Sequence, residues 1–289
     1  MKIDLAPELQ PTKNGEPPKL DIFYYTDPDC SWCWATEPLI KKIKEEYIGQ
    51  IRLTYRMGGL LEKWDNFFDS LNQIGRPEQV APHWVEVAKR SGMPIDEKIW
   101  YEDPPTSTYP GCIAYKAALF QDELRAEIYL RRLREAVLTE RRNISREGVL
   151  FELAEEVGLD MDKFREAFLT GPAQEAFMED LREARGRGIN GFPSLVMRNS
   201  LGQEITLVGY RPYKDYEIAM KRLATTALHK MPLLSIVDFV RKYGHVATEE
   251  VARVYEIDRD TALTELAKLI ETGEVKKEEK AGGEFWLIR

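Results

Sequence analysis

Residues 20–26 run Leu-Asp-Ile-Phe-Tyr-Tyr-Thr, β-branched and aromatic nearly throughout, which predicts a short buried strand. Asp27-Pro28-Asp29 breaks it, and a helix is expected from near Cys30, with Trp32, Ala35, Leu39, Ile43 and Tyr47 recurring every three or four positions until Gly49. Ile51, Leu53, Tyr55 and Met57 then alternate with Arg52, Thr54 and Arg56, the period of a strand. A strand, a crossover helix and a strand within about forty residues make a parallel pair with a right-handed connection the default. From 64 to 188 the period becomes helical, with amphipathic stretches at 77–90, 109–121, 123–140, 146–157, 161–169 and 174–185. Asp160 suits the cap of one of these helices and Pro77 the first turn of another.

Strand patterning returns at 193–197 and 205–208 around a turn at 199–202, and a helix follows Pro212 with Tyr213, Tyr216, Met220 and Leu223 on one face. The last sixty residues read as helices at 234–243, 248–255 and 260–271, then a hairpin around Gly282-Gly283, the outline of a winged helix-turn-helix. The expected organisation is a tail at 1–19, an α/β domain in two halves at 20–63 and 189–228, a helical insertion at 64–188, and a winged-helix-like domain at 229–289.

The chemistry concentrates at Cys30 and Cys33. A thiol needs to ionise before it attacks, and the first turn of a helix offers unpaired N–H groups and a partial positive charge. Cys30 is therefore expected to be the lowered, attacking thiol, and Cys33, on the same helical face, the resolving one. Ser31 and Trp32 between them bring no cation. Half of a zinc site and an inert buried pair are the competing readings of C-x-x-C. With no second such motif, only His83, His229, His245 and Cys112 remain as soft ligands, so no metal and no cofactor are expected. Gly191-Phe192-Pro193 precedes a strand. Together with the upstream cysteines it predicts a cis peptide between Phe192 and Pro193.

These residues resemble the thioredoxin superfamily and, within it, the DsbA-like branch that includes FrnE-type proteins. The resemblance covers residues 20–228 and is carried by Asp29-Cys-Ser-Trp-Cys-Trp34, by Pro38 five residues after Cys33, by Pro193, and by the segments 107–118 and 209–213. It implies a thioredoxin-like fold with a large helical insertion. It also implies a dithiol–disulfide oxidoreductase or isomerase acting on protein or small-thiol disulfides, with Ser31, Trp32, Phe192 and Pro193 supporting Cys30 and Cys33. The sequence departs from the pattern at Ser31, at Trp32 and at Tyr24, which stands where thioredoxin has a buried acid. A glutathione-dependent branch usually carries serine in place of the first cysteine, which this chain does not. Another branch binds a protein partner for regulated proteolysis and does not require turnover.

Bulk properties narrow the classes further. The 289 residues are 43% hydrophobic and 31% charged, an ordinary globular balance, and the net charge of −8 argues against general affinity for nucleic acid. The tail from Lys230 holds ten Lys and Arg against twelve Asp and Glu, which favours protein contact or a homodimer over DNA, although a redox-responsive DNA regulator is a third reading. No run approaches the ~20 apolar residues of a membrane span, and the polar start lacks a secretory pattern, so a cytoplasmic protein is expected. Cys112 and His83 read as packed structural residues. Asp27, Glu37 and Arg56 read as solvated charges, and Trp64, Phe67 and Phe68 as a helix core or a substrate groove.

Overall fold

The computed structural model describes residues 18–65, 67–70 and 72–289; most of the tail expected at 1–19 lies outside them. Strand β1 (Leu20–Thr26) leads through Asp27–Asp29 into helix α1 (Ser31–Glu46), then strand β2 (Ile51–Met57). β1 and β2 pair in parallel, as the short crossover requires, with Leu20 opposite Ile51 and Thr26 opposite Met57. The second half supplies β3 (Ser194–Asn199), β4 (Glu204–Val208) and a further helix at Tyr213–Leu223. The sheet order β2-β1-β3-β4 puts β1 at the centre with β3 antiparallel beside it. The chain is thus a mixed α/β protein of thioredoxin-like fold.

Between the halves the described residues form seven helices: α2 (Val80–Ser91), entered through a 3-10 turn at Pro77–Gln79, α3 (Ile99–Glu102), α4 (Tyr109–Leu119), α5 (Glu123–Thr139), α6 (Glu147–Glu156), α7 (Met161–Leu169) and α8 (Pro172–Gly186). The helix at Tyr213–Leu223 is α9. α4 is the hub of the insertion, packing against α5, α7 and α8 with its small residues Gly111, Cys112, Ala114, Ala117 and Ala118 buried. Asp160 caps α7, accepting the Lys163 N–H. One element was not anticipated here: α3 is a single turn, too short to display a period.

The C-terminal unit contains α10 (Ile236–Tyr243), β5 (Val246–Ala247), α11 (Thr248–Tyr255), α12 (Arg259–Glu271), β6 (Val275–Lys280) and β7 (Gly283–Ile288). Its three strands form an antiparallel sheet ordered β5-β7-β6, over a core that includes Phe239, Val251, Val254, Leu266 and Trp286. α11 lies across the polar face of α1. α11 covers Lys41 and Lys42, α10 meets Glu45, and Tyr213 with Lys230 meets Glu46, so four side chains that on an isolated α1 would face water are buried.

Candidate functional site

Cys30 caps α1 from an extended backbone conformation, and its Sγ accepts the Cys33 N–H at 3.2 Å. The satisfied N–H is one of the orphan donors of the first turn. Opposite, the Phe192–Pro193 bond is cis, and the Cys30 thiol reaches the Phe192 carbonyl oxygen at 3.7 Å. The loop is held to the next strand by the Gly209 N–H, which donates to the Pro193 carbonyl at 2.7 Å. Cys30 and Cys33, 163 and 160 residues from Pro193 in sequence, therefore share one site with it.

Ser31 is buried, Trp32 half-buried, and Phe192 packs with Tyr25 and Val196 on the other side of the sheet. Trp32 forms the visible wall beside the sulfurs: Tyr210 lies 5.4 Å away ring to ring, His83 6.2 Å, and the Arg90 guanidinium 5.0 Å above its face. His83, read from sequence as structural, thus borders the site, and burial lowers its imidazole. Trp64 packs edge-on to Phe67 and Trp100, whereas Phe68 stands exposed.

The expectation that Cys30 is the lowered thiol is corrected. Burial pushes Cys30 well above the ordinary thiol value, reinforced by its hydrogen bond and proximity to Cys33. At Cys33 burial also works upward, but the Cys30 side chain, the Arg134 guanidinium and Thr26 outweigh it and hold the group low.

Two further readings change. Asp27 and Glu37 are not solvated: both are buried. Asp27 accepts from the Leu60 N–H at 2.9 Å, the Thr108 hydroxyl at 2.8 Å and the Asp29 N–H at 2.9 Å, while Glu37 pairs with the buried Arg134 of α5. Arg56 is partly buried between Glu183 at 3.0 Å and Asp180 at 3.7 Å. Cys112 is buried as expected, yet its thiol meets Asp27 Oδ2 at 3.4 Å, directly behind the loop that carries Cys30. Asp29 is buried with both carboxylate oxygens unpartnered, and burial, then Asp27, raises its pKa strongly. Arg134 also donates to Thr26, and the Tyr24 hydroxyl reaches the Cys33 carbonyl at 3.4 Å. Sequence reasoning missed Arg134 and gave Asp29 and Tyr210 no role of their own, although both lie in segments that carry the resemblance.

Among the described residues no cluster of three or more His, Cys, Asp or Glu could hold a metal ion, and no helix is long and apolar enough to cross a membrane.

A strand–helix–strand half, a second half with a cis proline, and two cysteines at the intervening helix tip define a thioredoxin-type thiol protein. The chain belongs to the thioredoxin family, whose profile matches residues 23–218. Over 286 residues, 98% of this chain and 93% of the relative, it is 30% identical to the ClpXP adapter protein SpxH of Halalkalibacterium halodurans. The SpxH of Bacillus subtilis is 29% identical, over 94% of this chain and 91% of its own. Among solved structures, the cytosolic disulfide reductase DsbM from Pseudomonas aeruginosa superposes with a TM-score of 0.56 at 25% identity, covering all of that chain but 71% of this one. The similarity to SpxH thus extends into the C-terminal unit, whereas DsbM is matched in full without the whole of this chain.

Proposed function

We propose that this chain is a cytoplasmic adaptor that presents a protein partner to a ClpXP-type protease, built on a thioredoxin fold that retains a redox-competent thiol pair. The observation that carries this reading is the full-length similarity to SpxH, which takes in the C-terminal sixty residues. Three helices and a three-stranded sheet support reading that unit as a winged helix, and its acidic balance favours protein contact over DNA. The reading places domain limits at 63/64, 188/189 and 228/229. The test starts from a protein stabilised in cells that lack this chain. Purified chain should accelerate degradation of that protein by purified ClpXP, and a Cys30→Ser/Cys33→Ser variant should do so nearly as well. No acceleration of any stabilised protein ends the adaptor reading.

A second reading, dithiol–disulfide exchange, is favoured by the placement of Cys30 Sγ against the Phe192 carbonyl. Here Cys30 attacks a substrate disulfide, Cys33 resolves the mixed disulfide, and Ser31, Trp32, Phe192 and Pro193 form the substrate wall. Protein disulfides and small-thiol disulfides are the substrate classes. Cys30→Ser should abolish insulin reduction and Cys33→Ser should accumulate mixed disulfides; turnover that survives Cys30→Ser removes this reading.

A further inference from the structure

A set of buried ionic groups runs from the inner sulfur to the C-terminal unit. Cys33 is faced by Tyr24, Thr26 and Asp27 from β1 and its following loop, by Cys30 at the start of α1, by Tyr216 from α9, and by Arg134 from α5. Arg134 joins Thr26 to Glu37. The other oxygen of Glu37 lies 3.7 Å from Arg131, one turn earlier on α5. Arg131 then grips Glu250 of α11 through both oxygens, at 2.8 and 3.0 Å, and donates to the His245 carbonyl at 3.1 Å. Lys41 of α1 meets the same Glu250 at 2.6 Å. Glu135 closes the cluster between Arg131 at 2.6 Å and His245 at 3.0 Å. Glu250 also accepts the Ala247 N–H at 2.8 Å, so it caps α11 while binding the other unit.

We propose that this cluster couples the redox state of Cys30 and Cys33 to the docking of the C-terminal unit, closure of the disulfide tightening the docking and reduction loosening it. The inference rests on the redox competence of the pair and not on delivery to a protease. Three cations, Lys41, Arg131 and Arg134, face three carboxylates, Glu37, Glu135 and Glu250, so the set is balanced when the sulfurs are uncharged. A thiolate on Cys33 adds a fourth anion beside Arg134. In a low-dielectric interior that excess is felt across the cluster and is relieved when Glu250 departs with the C-terminal unit. Disulfide closure removes the fourth anion. Coupling is reciprocal: what the thiolate costs the docking, the docked Glu250 costs the thiolate.

Closure requires an external low-molecular-weight disulfide. Cys30 sulfur attacks one of its sulfur atoms, the S–S bond breaks, and the first thiol leaves. Cys33 sulfur then attacks Cys30 and expels the second. The pair, one thiol and one thiolate, loses two electrons and one proton, and the external disulfide takes these up with a second proton from solvent and leaves as two thiols.

Hydrogen exchange of the full chain, with excess reduced or oxidised glutathione, reads the coupling. Amides of α11 should exchange about five-fold more slowly in the oxidised form, the lower end of ordinary coupling strengths. Equal or faster exchange overturns the proposal. Thiol titration of the same samples reports closure, and a pair that stays open under excess oxidant also overturns it. Cys30→Ser/Cys33→Ser should show no response of α11 to oxidant; a response places the effect elsewhere and overturns the assignment. Glu250→Gln should move the alkylation midpoint of the pair to lower pH by about half a unit, as loss of one neighbouring anion favours the thiolate; an unmoved midpoint counts against the relay. Should that variant fold poorly, the wild-type exchange comparison decides alone.

Discussion

Gly58 follows β2 directly beneath the Phe192 ring: a Cβ at that position would stand 2.1 Å from the ring carbons. Gly58→Ala must displace Phe192 and the loop that faces Cys30. It should cost about 1–3 kcal/mol in urea unfolding, as overpacking does, and slow insulin reduction. Asp29 behaves differently. An acid whose folded pKa is raised keeps a proton that the unfolded chain releases, so its burial penalty grows as pH rises above the ordinary carboxylate range. Asp29→Ala should therefore gain on the wild type between pH 4 and pH 7, reaching about 1–3 kcal/mol for a buried unpaired polar group; urea midpoints at both pH values check it. At this scale Cys30, Cys33 and Pro193 were legible, because their spacing and flanking breaks carry the chemistry. Asp27, Glu37 and Arg134 were not. A charged side chain reads as solvated unless its partner is local, and Asp27 finds Thr108 81 positions away while Glu37 finds Arg134 97 positions away.

The buried Arg134–Glu37 pair ties α5 of the insertion to α1 of the sheet layer. Removing one member strands the other charge in the interior, so Arg134→Met should destabilise by about 3–5 kcal/mol. Arg134→Met/Glu37→Leu should recover much of that loss in chemical denaturation, since an apolar pair leaves no orphan. A double variant no more stable than the single one would show that the pair is needed for more than neutralising charge. Most elements were readable from period alone: α5, α7 and α11 fall almost where the apolar spacing puts them. The two-residue β5 and one-turn α3 were not, because they exist through pairing with β7 and through the packing of Ile99 and Trp100, and neither is a local property.

For the whole molecule, the seam between α1, α5 and α11 is charged and buried. Burial works to raise Glu250 and Glu135, but Arg131, then Lys41 at Glu250 and His245 at Glu135, hold both carboxylates low. A depressed carboxylate contributes stability above the ordinary pKa and loses it as pH falls toward the folded one. Docking should therefore hold at pH 6 and fail progressively below about pH 4, monitored by near-ultraviolet circular dichroism; a C-terminal unit that stays docked at pH 2 would rule out these ion pairs as its main fastening. No pattern in α1 announced this seam, since Lys41, Lys42, Glu45 and Glu46 present the polar face of an ordinary amphipathic helix. One contact there bears on how the chain is made. Lys42 Nζ donates to the Val254 carbonyl at 2.9 Å, in the last turn of α11, and also meets Glu46 and Glu256. During synthesis from the N-terminus, α1 is made some two hundred residues before Val254 exists. Throughout that interval its lysines and glutamates remain hydrated and keep the growing chain soluble, where an apolar stripe would have invited premature association. The same side chains become a specific socket only when the final segment arrives.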